Sequence, residues 1–165
     1  MNETRTPKVS VLQPWLDHRE RKRTTVVDTV VLHATAGGTL LGALETLRKL
    51  ELSYHFIIDR DGGITKCVPV RKAAYHAGIS IGPNGEGVNE YSVGISFVNK
   101  NDGKDPYSPA QERSVRALIR ELRAKIRTIE YLTTHAAVSP GRKTDPKGYA
   151  VDALGKDVGL AVWRP

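Results

Sequence analysis

The sequence lacks two features that would place it in a secreted or a membrane class. Cys67 is the only cysteine among its 165 residues, so an intrachain disulfide is excluded. It lies in the strand-like stretch 64–68, where a buried and inert thiol is expected instead of a nucleophile. No apolar run approaches the ~20 residues of a membrane-spanning helix. We therefore predict no transmembrane segment.

The first twelve residues also lack the apolar core of a secretory signal. We expect synthesis in the cytoplasm without a signal peptide, followed either by action there or by release towards the cell wall through another route, such as membrane lysis. The chain shows no internal repeat, and its length suits one domain with its own core. We predict a basic N-terminal arm at 1–24 and a folded domain at 25–165.

The chain carries a formal net charge of +7, which favours an anionic partner. Nucleic acid, anionic lipid and anionic cell-wall polymers all fit this charge. The basic cluster at 19–23 is either a solvated arm or an electrostatic contact to such a polyanion. No nucleic-acid-binding motif is present, and aromatic residues are not interleaved with the basic ones. We therefore expect no nucleic acid partner.

Apolar periodicity predicts the fold class. The β-branched stretch 25–33 predicts a buried central strand. Helical spacing predicts helices at 39–50 and 108–127, and the second opens with a capping box of Ser108 and Gln111. An Asp-Gly turn at 61–62 predicts a hairpin, which requires an antiparallel pair. The expected fold is a single α/β domain with a mixed central sheet of about five or six strands and helices on both faces.

Three side chains suited to zinc lie at predicted strand ends or in a loop. His33 ends the first central strand, His135 follows a later strand, and Asp145 lies ten residues further on in a turn-rich loop. Taken alone, His33 is better explained as a satisfied core histidine than as a metal ligand. Imidazole and carboxylate are both good zinc ligands, and three protein ligands plus water are typical of a catalytic zinc. Zinc lowers the pKa of its bound water to about 7, which makes that water a usable nucleophile.

Five motifs in order resemble one enzyme family, the zinc-dependent N-acetylmuramoyl-L-alanine amidases that include phage lysozyme-like amidases and peptidoglycan recognition proteins. The similarity covers residues 25–146. The motifs are VVLH at 30–33, SYHFIIDRDG at 53–62, YHAG at 75–78, NEYSVGI at 89–95 and HAAVSPGRKTDP at 135–146.

The resemblance implies that the domain at 25–165 is a zinc amidase catalytic domain. One zinc ion would be held by His33, His135 and Asp145. The reaction would be hydrolysis of the amide between N-acetylmuramic acid and the L-alanine of the stem peptide. The partner would then be peptidoglycan, and we expect a monomer.

The resemblance also implies roles for four further residues. Tyr54 matches the tyrosine that faces the zinc-bound water, and Lys143 matches the lysine that stabilises the oxyanion. His76 and Asn89 would line the cleft as substrate contacts, although a turn residue explains Asn89 equally well.

One departure distinguishes two branches of the family. The branch of muropeptide-recycling amidases carries a glutamate where this chain has Ser96. We therefore favour an endolysin-like hydrolase, whose basic arm would contact anionic cell-wall polymers or the outer membrane. The alternatives are a cytosolic muropeptide-recycling amidase and a non-catalytic peptidoglycan-binding module.

Overall fold

The fold is built on one large mixed sheet. The computed structural model of the protein describes residues 9–11 and 19–165. The strands of this sheet are β1 (Val9–Val11), β3 (Thr29–Ala34), β4 (Phe56–Ile58), β5 (Ile64–Lys66), β9 (Ser92–Phe97), β10 (Tyr131–Thr134) and β11 (Ala161–Val162), in the spatial order β1-β5-β4-β9-β3-β10-β11.

Most neighbouring strands in this sheet are parallel, and β4 with β5 forms the antiparallel pair. Six of the strands lie between Thr29 and Val162, and β1 adds a seventh. Two further short pairs lie outside the sheet. They join β2 (Glu20–Lys22) to β6 (Lys72–Ala74) and β7 (Ile81–Gly82) to β8 (Gly85–Glu86).

Helices cover both faces of the sheet. They are α1 (Leu40–Leu50), α2 (Val88–Tyr91), α3 (Pro109–Lys125), α4 (His135–Val138) and α5 (Val151–Val158). One face packs against α3 and α5, with Leu32, Ile95, Leu118 and Leu154 in the same cluster. The other face lies under α1, α2 and α4.

The two central strands explain the continuous apolar stretches of the sequence. Every residue of β3 and β9 is buried, and the two strands pair in parallel over six residues. Strands covered on both faces need no polar side. The predicted single α/β domain with a mixed sheet and helices on both faces is therefore confirmed.

Helix α3 begins as the capping box predicts. The Ser108 hydroxyl accepts a hydrogen bond from the Gln111 backbone at 3.0 Å, and the Gln111 side chain accepts one from the Ser108 backbone at 3.0 Å. The Gln111 amide also donates to the carbonyls of Ile58 and Val98. This capping residue therefore also ties the helix to the sheet.

The predicted hairpin is present, but its first strand is shorter than the alternating pattern suggests. Strand β4 begins at Phe56, so Tyr54 lies outside the strand. Tyr54 packs beside Ile57 on one face, whereas Phe56 belongs to the core of the other face. A regular strand would place Tyr54 and Phe56 on the same face, but the two-residue period does not extend to Tyr54, which precedes β4.

The segment predicted as a basic arm pairs with the domain where the structure describes it. Strand β1 pairs with β5, and β2 pairs with β6. Residues 1–8 and 12–18 of the predicted arm lie outside the described residues. Among the helices of the described ranges, none is long and apolar enough to cross a membrane.

Candidate active site and metal centre

Neighbouring strand ends bring the three predicted metal ligands together. His33 is the fifth residue of β3, and His135 directly follows β10, which pairs in parallel with β3. The carboxyl ends of parallel neighbours meet at one edge of the sheet. Asp145 joins its loop to this edge of the sheet. The Asp145 carbonyl accepts a hydrogen bond from the Ala136 backbone at 2.9 Å, and the Asp145 carboxylate accepts one from the Ala34 backbone at 3.3 Å.

The donor atoms of these side chains face one another. The Nδ1 atoms of His33 and His135 are 3.1 Å apart. The Asp145 carboxylate lies 3.1 Å from Nδ1 of His135 and 3.4 Å from Nδ1 of His33. A tetrahedral zinc with bonds of 2.0–2.1 Å separates its ligand atoms by about 3.3–3.4 Å. The three residues therefore fit one zinc ion, and each of them is buried.

The electrostatics of the cluster suit a cation. Burial, reinforced by His135, lowers the pKa of His33 to about 4, so this imidazole is neutral near pH 7. Burial alone would raise the pKa of the Asp145 carboxyl, but its close contacts with His135 and His33 outweigh this effect and hold the pKa well below its usual range. The cluster thus offers neutral imidazole and ionised carboxylate, the forms in which both groups bind metals.

The outer nitrogens of both histidines are also engaged. Nε2 of His33 lies 2.9 Å from Nδ1 of His76, and Nε2 of His135 lies 3.1 Å from the carbonyl of Ala77. The Asn89 side chain accepts from the backbones of His76 and Ala77, at 3.2 and 2.9 Å. His76 and Asn89 thus lie behind the ligands and are nearly covered, at 6% and 9% exposure. Their contact with substrate stays a prediction.

Tyr54 and Lys143 lie at different depths beside the cluster. The ring of Tyr54 is partly buried, with its centroid 4.9 Å from that of His33. Burial, with the nearby Asp145 carboxylate, raises the pKa of Tyr54, so its hydroxyl stays protonated at neutral pH. Lys143 is exposed, and its charge contributes to the lowered pKa of His33. The predicted catalytic pair thus consists of one sheltered donor and one exposed cation.

Arg142 braces the loop between the two later ligands, a role that the sequence alone leaves open. Its guanidinium donates to the carbonyls of Ala77 and Ile79, at 2.6 and 2.9 Å, and to the Ser139 hydroxyl at 2.9 Å. These bonds join the 75–79 segment to the ligand loop. Arg142 therefore stabilises the positions of the two segments relative to each other and, through them, the geometry of the site.

Arg23 lies beside the site without a signal in the sequence. It donates to the carbonyls of Val70, Asn89, Glu90 and Ser92. Burial lowers the pKa of its guanidinium to about 10. Nothing in the sequence separates Arg23 from the charged cluster around it, because carbonyl acceptors leave no residue pattern. Ser92 and Ala77, by contrast, lie inside two of the family-like motifs.

Ser96 is the position where the recycling branch of the resembled family carries glutamate. It pairs with His33 in register, and it is fully buried. Its hydroxyl has no hydrogen-bond partner within the residues that the structure describes. It also lies near Tyr54.

The chain is similar to a known protein family over most of its length. Residues 22–148 match the family model of N-acetylmuramoyl-L-alanine amidases. The chain is thus a mixed α/β protein with a histidine–histidine–carboxylate cluster at its strand ends. It belongs to the family of N-acetylmuramoyl-L-alanine amidases.

The relatives of this chain include both an anhydromuramyl amidase and a phage endolysin. The 1,6-anhydro-N-acetylmuramyl-L-alanine amidase AmpD of Salmonella typhimurium is 39% identical over 100 residues, which are 59% of this chain and 51% of that protein. The endolysin of Enterobacteria phage T3 is 33% identical over 95 residues, 55% of this chain and 57% of that protein. The chain thus spans about half the length of the curated relatives it matches.

A solved structure extends the similarity to a protein with substrate bound. This is the N-acetylmuramyl-L-alanine amidase AmiD of E. coli, in complex with anhydro-N-acetylmuramic acid-L-Ala-D-gamma-Glu-L-Lys. It superposes with a TM-score of 0.74 and 25% identity, over 88% of this chain and 63% of that one.

Proposed function

We propose that the protein hydrolyses the amide bond between N-acetylmuramic acid and the L-alanine of the peptidoglycan stem peptide. The observation that carries this proposal is the convergence of His33, His135 and Asp145 in a chain of the amidase family. Three protein donors are the number found in catalytic zinc sites, whereas structural sites use four.

His33, His135 and Asp145 would hold the zinc ion. When bound, zinc supplies Lewis acidity, which lowers the pKa of a coordinated water and polarises a carbonyl group. The remaining chemistry is supplied by side chains around the cluster.

Tyr54 and Lys143 would act on the reacting amide. The Tyr54 hydroxyl keeps its proton at neutral pH and can donate a hydrogen bond to an oxygen beside His33. Lys143 would place a positive charge where negative charge develops on the amide oxygen. A preorganised cation at this position stabilises the transition state more than the ground state.

The proposal is tested with purified sacculi. We expect the protein to release free stem peptides, to lose this activity with a strong chelator and to regain it with zinc. His135→Ala should be inactive under all three conditions. Peptide release that survives both the chelator and His135→Ala would contradict the proposed site. Binding to sacculi without release would instead support the non-catalytic binding module.

The finer proposal concerns the form of the substrate. We propose intact peptidoglycan, with an endolysin-like role, because Ser96 replaces the glutamate of the recycling branch and Tyr54 lies beside His33. The 33% identity to a phage endolysin supports the same choice.

A second candidate, hydrolysis of soluble muropeptides in the cytosol, is favoured by the 39% identity to a 1,6-anhydro-N-acetylmuramyl-L-alanine amidase. The two candidates separate when kcat/KM is measured on intact sacculi and on soluble 1,6-anhydromuropeptide. We expect turnover of intact sacculi. Turnover of the soluble substrate alone would replace the endolysin-like role with the recycling one.

A further inference from the structure

Both ligand histidines rest on the same two-residue segment, His76–Ala77. Nδ1 of His76 accepts from Nε2 of His33, and the carbonyl of Ala77 accepts from Nε2 of His135, at 2.9 and 3.1 Å. One short piece of backbone therefore contacts both imidazoles on the sides that face away from the metal centre.

The hydrogen-bond pattern determines which nitrogen of each ring carries the proton. A carbonyl only accepts, so Nε2 of His135 must be the protonated nitrogen, and its Nδ1 is free to bind metal. The series of hydrogen bonds that starts at Nε2 of His33 also ends at a backbone carbonyl, that of Val88. The Ser92 hydroxyl donates to Val88 at 2.6 Å and therefore accepts from Nε2 of His76 at 3.1 Å. This leaves Nδ1 of His76 as an acceptor for Nε2 of His33.

Three residues of the 89–95 motif place this segment, Ser92 with the contact described above and two others. The Asn89 side-chain oxygen accepts from both backbone N–H groups of the segment, at 3.2 and 2.9 Å. Gly94 makes room for the imidazole of His76, because a Cβ atom at this position would lie 2.6 Å from Cγ of that ring. The Asn89, Ser92 and Gly94 positions thus act together to hold His76.

We propose that the His76–Ala77 segment, clamped by Asn89, is the positioning device that sets the metal affinity of the site. The inference rests on the proposed function, since it needs His33 and His135 as metal ligands. His76 and Asn89 are positioning residues in this scheme and need not touch the substrate. Loss of such outer contacts lowers metal affinity by about 10–100-fold in zinc enzymes.

The test is the zinc dissociation constant, measured by competition with a chromophoric chelator. Asn89→Ala should weaken zinc binding by about 10–100-fold. Asn89→Asp keeps an oxygen acceptor for both backbone N–H groups and should stay within a few-fold of the unsubstituted protein. Gln111→Ala is the matched control. It likewise removes a buried side-chain amide, with three hydrogen bonds where Asn89 makes two, but from the opposite face of the sheet.

Ser92→Ala provides a second variant should Asn89→Ala fail to fold, since it removes the acceptor for Nε2 of His76 and should weaken zinc binding in the same direction. The absorption spectrum of the cobalt-substituted protein is a further readout. It should change in Asn89→Ala and Ser92→Ala and stay unchanged in Gln111→Ala.

The outcomes separate the two proposals. If the unsubstituted protein binds no zinc, the proposed function fails. If it binds zinc and both Asn89→Ala and Ser92→Ala bind as tightly as Gln111→Ala, the metal site stands and the positioning role of the segment is wrong.

Discussion

At the scale of single residues, Tyr54 and Lys143 are predicted to act on the reacting amide, whereas His33, His135 and Asp145 form the converging donor set. We expect Tyr54→Phe and Lys143→Ala to bind zinc like the unsubstituted protein and to lower kcat by about 10²–10³-fold, the usual cost of removing one transition-state donor. Zinc titration and initial rates of peptide release from purified sacculi measure the two effects separately.

His135→Ala is the contrasting variant, because it should lose zinc and activity together. Full activity in Tyr54→Phe or Lys143→Ala would refute the role assigned to that residue. Loss of zinc in either variant would instead make the residue part of the metal centre.

The buried histidine His55, which lies near the site, should make the stability of the folded protein depend on pH. Burial lowers the pKa of His55 to about 3, although its bond to the Lys72 carbonyl favours the charged form. The free histidine has a pKa of about 6.5, so between these values the unfolded chain binds a proton that the folded chain does not. The free energy of unfolding should therefore fall as the pH drops below about 6.5, by up to about 1.4 kcal/mol per pH unit for this group.

Urea denaturation of the metal-free protein at pH 7, 6 and 5 measures this slope. His55→Gln removes the titrating group, so its stability should be lower at pH 7 but should decline less steeply towards pH 5. An equal slope in both proteins would mean that His55 does not contribute.

At the scale of elements, the connection between β9 and α3 is joined to the hairpin by one ion pair. The Asp105 carboxylate accepts from both terminal nitrogens of Arg60, at 2.8 and 2.5 Å, and from the Lys100 backbone at 2.8 Å. The bond to Arg60, followed by that to Lys100, lowers the pKa of Asp105 to about 2. The ionised carboxylate thus stabilises the connection.

Asp105→Asn should lower the free energy of unfolding by about 1 kcal/mol at pH 7, a modest value because Arg60 is partly solvated. A depressed carboxyl pKa gives stability that is present above about pH 4 and is lost as the pH falls towards about 2. The difference between the two proteins should therefore shrink over that range. Denaturation at pH 7 and pH 3 checks both statements.

Asp152→Asn is the control for this experiment, since Asp152 also pairs with an arginine, Arg164, but on an exposed surface. Its effect should stay within about 0.5 kcal/mol. An equal loss in both variants would show that the Asp105 pair is an ordinary surface contact.

Elements with local signals could be predicted from the sequence, and elements defined by tertiary pairing could not. Helix α3 has its cap and its apolar stripe within its own residues. Strand β2 is three charged residues, Glu20–Lys22, that form a strand only because β6 supplies their hydrogen-bond partners. Local propensity contains no information about such a partner.

The same distinction applies to the candidate site. The strand-end positions of His33 and His135 make a shared metal site a natural prediction, and the family resemblance adds Tyr54 and Lys143. The placement of His76 behind His33 depends on the missing Cβ of Gly94 and on backbone acceptors. These features follow from the folded geometry, so the sequence predicts for His76 only a contact in the cleft.

At the scale of the whole molecule, the positive charge is distributed unevenly between paired and unpaired groups. In the predicted arm, Arg19 pairs with Glu51 at 3.6 Å, and Arg21 pairs with Glu90. Arg23 donates hydrogen bonds to backbone carbonyls of the domain. Its removal would therefore damage the fold and could not report on binding.

The end of α3 presents a different arrangement. Arg120, Arg123 and Arg127 line an open recess of about 500 Å³. Arg113, Arg120 and Arg127 are exposed. Two of the recess arginines donate to carbonyls at the end of α5, namely Arg120 to Asp157 and Arg123 to Val158. These bonds fix the direction of the side chains without neutralising their charge.

This distribution predicts which charges attract an anionic cell wall. We compare Arg19→Gln/Arg21→Gln/Lys22→Gln with Arg113→Gln/Arg120→Gln/Arg127→Gln, two variants that each remove three charges. The α3 variant should bind sacculi more weakly, because Arg19 and Arg21 already have carboxylate partners.

Each arginine near an anionic surface contributes about 1 kcal/mol, so the loss of binding in the α3 variant should reach tenfold or more at low salt. It should fade at high salt, where screening shortens the range of these charges to a few ångströms. A larger loss in the arm variant would return the attraction to the predicted basic arm, and unchanged binding in both variants would exclude charge as the means of wall attachment.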